Sequence, residues 1–230
     1  MKNIRKTLLI IVTILTITLL TGCSKTKKLE KAFATLNETS HTINAEMTVS
    51  VSANDQSYTN KMNMYYENDP TQSYSITKYS EGEYYSYCKL TEQGASVYMA
   101  FNKTDWTHLY DLTMEEYKKQ NLEVGKVEDA EYFKYENGVY VGDTVALNDT
   151  LNDYINSLVK EYIDLGLEIK LFNVKKYNVT LEKNNVSKVE IDMEISLGGF
   201  GQTVSMCYSM IFNISKIGET EVTVPSIANE

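Results

Sequence analysis

The chain offers few side chains for covalent chemistry: two histidines, His41 and His108, and three cysteines, Cys23, Cys88 and Cys207. A hydrolase of the usual kind needs a nucleophile beside a histidine base, and neither histidine has such a setting. His41 follows Thr39-Ser40 at a helix-to-strand junction, where a partly exposed turn residue is expected. Asp105, His108 and Asp111 carry donor atoms for a metal ion, but their spacing matches no established site. They read as loop or edge-strand residues. Glu190, Asp192 and Glu194 alternate along one run and form its solvent face, while carboxylates paired by the fold, as in glycosidases, stay open. No Gly-rich phosphate loop, Gly-x-Ser-x-Gly elbow or His-Glu-x-x-His occurs. The expectation is a protein that is no enzyme and uses no metal or cofactor.

Cys23 has a different context. Lys2, Arg5 and Lys6 precede an uncharged apolar run from Thr7 to Leu20, the layout of an export signal, and the run is short for a membrane span of about 20 residues. Leu20-Thr21-Gly22-Cys23 then resembles the lipobox of bacterial lipoproteins, whose cysteine thiol is acylated and becomes the first residue of the mature chain. An ordinary signal peptide with an incidental cysteine is the alternative. The expected organisation is a lipoprotein signal peptide over residues 1–22, a lipid-anchored stalk over 23–28 and a single domain over 29–230. Two or more acyl chains anchor stably, so the domain is expected at the cell membrane, held by acylated Cys23 and facing outside the cytoplasm. Lys25, Lys27 and Lys28 of the stalk suit anionic headgroups.

The net charge is −9, three units more negative once Lys2, Arg5 and Lys6 leave with the signal. Such acidity repels polyphosphates and excludes nucleic acid as a partner. Cys88 and Cys207 sit in no Cys-x-x-Cys or Cys/His cluster, so metal and redox chemistry have no support. A disulfide between them is permitted outside the cytoplasm, with buried free thiols as the alternative.

The elements follow from periodicity. Leu29, Ala32, Phe33 and Leu36 recur at helical spacing over 27–38. From Thr42 the period becomes two: Ala45, Met47, Val49, Val51 and Ala53 alternate with polar residues, and Met62, Met64 and Tyr66 return as the second strand of a hairpin. Strands are expected over 74–78, 84–90 and 96–102, and Thr113-Met114-Glu115-Glu116 offers a capping box for a short helix. Asn137-Gly138 marks a hairpin between 132–135 and 139–141. Leu147, Leu151, Tyr154, Ile155, Leu158, Val159 and Tyr162 predict a helix over 149–165. Three long strands follow, around Tyr177–Leu181, Val189–Leu197 and Val204–Ile214, and a last short one over 221–224. About ten strands and two or three helices result. An antiparallel sheet of this size twists and curls, and helices must cover its apolar face.

This order of elements, from the leading helix and the long 45–67 hairpin through Val97-Tyr98-Met99 to Trp106 and the closing strands over 189–225, resembles the bacterial lipoprotein-carrier superfamily. Its members include LolA/LolB-like and LppX/LprG-like half-barrel domains. The resemblance covers roughly Lys27 to Ile227 and implies an α+β fold, a curved antiparallel sheet forming an open half-barrel with two or three helices on its concave face. It brings no catalytic motif and no ligand residues.

The methionines supply a candidate site. Met47, Met62, Met64, Met99, Met193, Met206 and Met210 fall in expected strands, nearly all on the apolar side, and flexible thioethers suit a wall that adapts to varied acyl chains. Ordinary core filling explains them too. With Val49 and Ile191 they form the expected lining, and Leu151, Ile155 and Leu158 the helical lid. The expected function is non-covalent binding of a lipid or other hydrophobic ligand. The alternative is a surface module with a filled core whose acidic or tyrosine-rich exterior meets a protein or the cell wall; Tyr65, Tyr66, Tyr74, Tyr79, Tyr84, Tyr85, Tyr87 and Tyr98 crowd the first sheet half, where ordinary strand packing also explains them.

Overall fold

The computed structural model describes residues 25–51, 56–68, 71–120, 126–149, 151, 168–199 and 202–226. Cys23, Ile155 and Leu158 therefore lie outside the described residues, as does most of the helix expected over 149–165. Among the described residues no helix is long and apolar enough to cross a membrane.

Eleven strands form one open antiparallel sheet in the order β6-β5-β4-β3-β2-β1-β11-β10-β9-β8-β7. In chain order these are β1 (His41–Val51), β2 (Gln56–Asn68), β3 (Thr71–Tyr79), β4 (Gly82–Thr91), β5 (Gly94–Ala100), β6 (Thr107–Thr113), β7 (Phe133–Glu136), β8 (Val139–Gly142), β9 (Glu168–Glu182), β10 (Asn185–Gly199) and β11 (Gln202–Ser215). Every neighbour pair but one joins strands consecutive in the chain. The exception joins β1 to β11, with Met47 opposite Met210 and Ile43 opposite Ile214. That pairing links the two halves of the chain and leaves β6 and β7 as the edges. Among the described residues three α-helices accompany the sheet: α1 (described over 25–38), α2 (Met114–Gln120) and α3, which begins at residue 144. The fold is the expected α+β open half-barrel.

Helix α1 buries one stripe. Leu29 and Phe33 are wholly buried, and Ala32 and Leu36 nearly so, a spacing of three and four residues that returns to the same side of a helix. They pack with Ile43, Val174, Val179, Val189, Ile191, Met210 and Ile214 of the sheet. Full burial of each large apolar side chain stabilises by about 1.5–3 kcal/mol. At the far end of the helix the Asn68 side-chain amide donates to the Glu38 carbonyl at 2.8 Å, satisfying a backbone acceptor that the last turn leaves open.

Local signals are realised where a side chain can act on its own backbone. Thr113 and Glu116 form the reciprocal capping box of α2: the Glu116 carboxylate accepts from the Thr113 N–H at 2.8 Å, and the Thr113 hydroxyl accepts from the Glu116 N–H at 3.2 Å. Asn137 (φ 48°) and Gly138 (φ 94°) turn the β7–β8 hairpin, as a tight type I′ reversal requires.

Several expectations are corrected. Residues 25–28, expected within the stalk, are helical: the Tyr140 hydroxyl donates to the Lys25 carbonyl at 3.2 Å, and the Lys25 ammonium lies 4.1 Å from the Tyr135 ring centre. The later helix starts at 144 and not at Asp149, because the Asp143 carboxylate accepts from the N–H groups of Val145 and Ala146 at 3.0 and 3.3 Å, an N-cap. Residues 221–224 form no strand. They cross the outer face of the sheet, where the Thr42 and Thr220 hydroxyls meet at 2.9 Å and Val222 is buried.

Cys88 and Cys207 are both free, Cys88 half-buried and Cys207 exposed. Four strand steps separate β4 from β11, about 19 Å at the usual spacing, and the two side chains leave opposite faces. A disulfide needs Cα atoms within about 7 Å.

Candidate functional site

The hydrogen-bond register places all nine expected strand residues of the lining on one face, the face that α1 covers. One row across the sheet reads Ile191, Met210, Met47 and Asn60, and the next reads Met193, Tyr208, Val49 and Tyr58. Met206 lies one row further on, opposite Val51. On the other side a row runs from Ile43 through Met64, Ser75 and Ser86 to Met99, and Met62 lies opposite Ala45 and Thr77. Alternation on each strand selects this outcome, since a one-residue slip would send any of these side chains to the other face.

Their surroundings divide them. Ile191 and Met210 are buried in the core cluster beneath α1, and Met47, Met64, Met193 and Leu151 pack against it. Val49, Met62, Met99 and Met206 are half-buried and, among the described residues, lie outside that cluster. From β7 to β1 the inner face thus carries the cluster packed beneath α1, with Val49 on β1 and Met206 on β11 outside it. The other half differs.

On β3 and β4 the inner face carries the small residues Ser75, Thr77, Ser86 and Cys88, with Tyr84 opposite Thr77 and its ring 6.3 Å from that of Tyr79. The Ser75 and Ser86 hydroxyls meet at 2.7 Å, so neither needs water inside the fold. Met62 and Met64 on β2 and Val97 and Met99 on β5 flank these two strands. Three strand spacings, about 14 Å, separate the flanking strands. Ser75 and Thr77 between them are buried. Among the described residues this part of the face carries apolar, adaptable side chains beside paired hydroxyls and no nucleophile–base pair. Burial pushes the Cys88 thiol above its ordinary pKa, away from the reactive thiolate.

The outer face carries the aromatic residues that sequence reading left ungrouped. Tyr65, Tyr74, Tyr87 and Tyr98 stand in one row over β2 to β5. Ring centres of Tyr65 and Tyr74 lie 6.1 Å apart, as do those of Tyr87 and Tyr98 and those of Tyr74 and Trp106. Tyr87 is almost fully buried because its hydroxyl donates to Gln72 at 2.8 Å. Tyr85 beside it donates to the Glu83 carboxylate, which pushes its pKa up to about 12. The signal for this row was the count of tyrosines in the first strands; only pairing shows which of them share a face.

The residues considered for chemistry are dispersed. His41 is buried and not partly exposed: its ring lies 5.0 Å from that of Tyr66, and Nδ1 is 2.9 Å from the Thr39 carbonyl. Burial holds its pKa below the ordinary value. His108 lies on the exposed edge strand β6 with Nε2 at 3.0 Å from Asp111, while Asp105 is engaged by Asn102 at 2.7 Å. No group of three or more potential metal ligands occurs among the described residues. Although burial pushes the Glu190 carboxyl up, Lys176 and Lys188, at 3.1 and 3.2 Å, hold it below the usual range. Glu194 meets Lys175 at 2.7 Å, and Asp192 accepts from Ser209 at 2.7 Å. The three carboxylates of β10 are therefore each matched to a cation or a hydroxyl on the outer face.

No family model matches the chain. No curated protein matches it either. Solved structures do. The Mycobacterium tuberculosis lipoprotein LppX matches at 11% identity and TM-score 0.39, covering 87% of this chain and 98% of its own. A DUF1329 family protein from Desulfovibrio piger matches at 9% and 0.31, covering 87% and 93%. A domain from Vibrio parahaemolyticus assigned to outer membrane lipoprotein sorting matches at 9% and 0.30, covering 86% and 95%. LppX and the sorting domain belong to the groups that the order of elements resembles. The likeness concerns the fold alone.

Proposed function

We propose that this chain is a lipid-anchored, extracytoplasmic domain that binds a lipid or other hydrophobic ligand without covalent chemistry. The observation that carries the proposal is the contrast within one face. Ile191 and Met210 are packed under α1, whereas Val49, Met62, Met99 and Met206 share their face, remain half-buried and stand outside the packed cluster. Burying an acyl chain against them would draw on about 25 cal/mol for each Å² of apolar surface removed from water. Polarisable thioethers accept varied chain positions at little cost. No bond is made or broken in this reading, and acylated Cys23 supplies the membrane attachment. The neighbours named as lipoproteins or assigned to lipoprotein sorting are consistent with it, at identities that speak only to fold.

Native mass spectrometry of residues 24–230, purified from cells without delipidation, tests it. Co-purified lipid in a fixed stoichiometry supports the binder; bare protein after expression in lipid-rich cells counts against it.

A second reading has its own support. Much of the inner face from β7 to β1 is packed core, and Phe101, Leu109 and Tyr110 are exposed at and beside the β6 edge, Phe101 at 71%. Exposed aromatic and aliphatic groups next to an open edge strand suit contact with another protein. Lipid-free protein that self-associates or retains a protein partner through β6 would favour this module.

A further inference from the structure

The start of α1 and the β7–β8 hairpin form one surface. The Tyr140 hydroxyl holds the Lys25 carbonyl at 3.2 Å, and the Lys25 ammonium stands 4.1 Å from the Tyr135 ring centre. Lys27, Lys28 and Lys31 of the helix are exposed, as are Lys134 and Tyr135 of the hairpin. Lys27 and Lys31 stand one turn apart on the side away from the buried stripe. Residues 25–31 and the hairpin together hold five lysines against two glutamates, Glu30 and Glu136, in a chain whose net charge is −9. Lysines are concentrated at this end of an acidic molecule, with the exposed Glu128, Glu131 and Asp143 at the base of the hairpin.

We infer that this surface lies against anionic lipid headgroups and sets the orientation of the domain on the membrane. The inference rests on the proposed acylation of Cys23. Cys23 stands two residues before residue 25, which is already helical, so acylation of Cys23 brings the leaflet close to residues 25–31. Each lysine near an anionic surface contributes about a fivefold gain in partitioning, and an exposed tyrosine suits the headgroup layer, where its ring and hydroxyl meet different surroundings. The rest of the acidic domain is repelled from the same surface. Attraction at one end and repulsion elsewhere select one orientation from those that a tether alone would allow.

The test is lysine acylation footprinting of the full acylated chain, read by peptide mass spectrometry. The chain is compared in neutral detergent, in phosphatidylcholine vesicles and in mixed phosphatidylcholine–phosphatidylglycerol vesicles. Lys27, Lys28, Lys31 and Lys134 are expected to lose about fivefold or more of their reactivity on the mixed vesicles, with less protection on phosphatidylcholine alone, while Lys61 and Lys78 on β2 and β3 stay reactive. The double variant Lys27→Glu/Lys31→Glu should restore much of the reactivity of Lys28 and Lys134. Equal labelling in all three media, protection of Lys61 and Lys78 instead, or identical protection on both vesicle types overturns the inference. Vesicle flotation separates the two readings. A chain that fails to float removes the Cys23 anchor and with it this orientation, whereas a chain that floats with open lysines removes the orientation alone.

Discussion

The backbone N–H of Val222 donates to the carboxylate of Glu67 at 3.1 Å, across 155 residues of sequence. The same oxygen accepts from the Gln72 amide at 2.7 Å, and Gln72 in turn accepts from the Tyr87 hydroxyl at 2.8 Å. One carboxylate thus ties the C-terminal segment to β3 and, through Gln72, to β4. Gln72 is buried, so the network has no water to fall back on.

Glu67→Ala leaves a buried amide donor and the Val222 N–H without their acceptor. The expected loss of unfolding free energy in urea is about 1–3 kcal/mol, with a smaller loss for Glu67→Gln, which keeps one acceptor oxygen. A Glu67→Ala variant as stable as the parent would show that the tail does not brace the outer face.

His41 makes stability depend on pH. Burial lowers its pKa in the folded chain, while the unfolded chain keeps a value near 6.5. Above that value both states are neutral at this site and its contribution is complete. As pH falls below it the unfolded state takes up the proton first, so stability is lost progressively toward the lower folded value. Urea midpoints between pH 7.5 and 5, measured on the parent and on His41→Phe, should converge or cross as pH falls. Parallel curves would sink this account.

The division of the inner face predicts two kinds of mutant. Ile191→Ala, beneath α1, should cost about 2–5 kcal/mol, as large-to-small changes in packed cores do, and leave lipid retention per folded molecule intact. Met62→Gln with Met99→Gln, outside the packed cluster, should lower stability much less while reducing co-purified lipid severalfold. Equal lipid content in both variants would detach Met62 and Met99 from ligand binding.

Gly94 opens β5 with φ +152°, and a Cβ there would stand 1.9 Å from the Leu112 carbonyl oxygen of β6. Gly94→Ala must push the edge strand away or strain the backbone, at about 1–3 kcal/mol. Amide exchange in β6 should rise more than in β9 or β10. Uniform protection across the sheet would contradict that localisation.

Much of this architecture was legible in the sequence, and its limits have definite causes. Period two marked the runs around Met47, Met62 and Tyr208 as strands, and period near 3.6 marked Leu29, Ala32, Phe33 and Leu36 as the buried side of a helix, because each pattern reflects geometry internal to one element. The capping box at Thr113 and the Asn137-Gly138 turn were equally readable, since their bonds and dihedral angles close within a few residues. The parity of each methionine followed from its own strand. His41 shows where such reading stops: its neighbours in sequence suggested exposure, whereas Tyr66, 25 residues on, stacks against its ring.

Tertiary structure alone decided which strands are neighbours and what covers each face. The β1–β11 pairing brings Met47 beside Met210, and it depends on the whole chain between them being folded. The tail over 221–224 has the alternation of a strand, yet Glu67 and Thr42 hold it across the outer face. Cys88 and Cys207 were compatible with a bond until the register sent them to opposite faces. Ile191 and Met210 became core, whereas Met62 and Met99 on the same face stand, among the described residues, outside the packed cluster. Local periodicity specifies which side chains share a face, but burial is set by the element packed against them, and that is a long-range property of the fold.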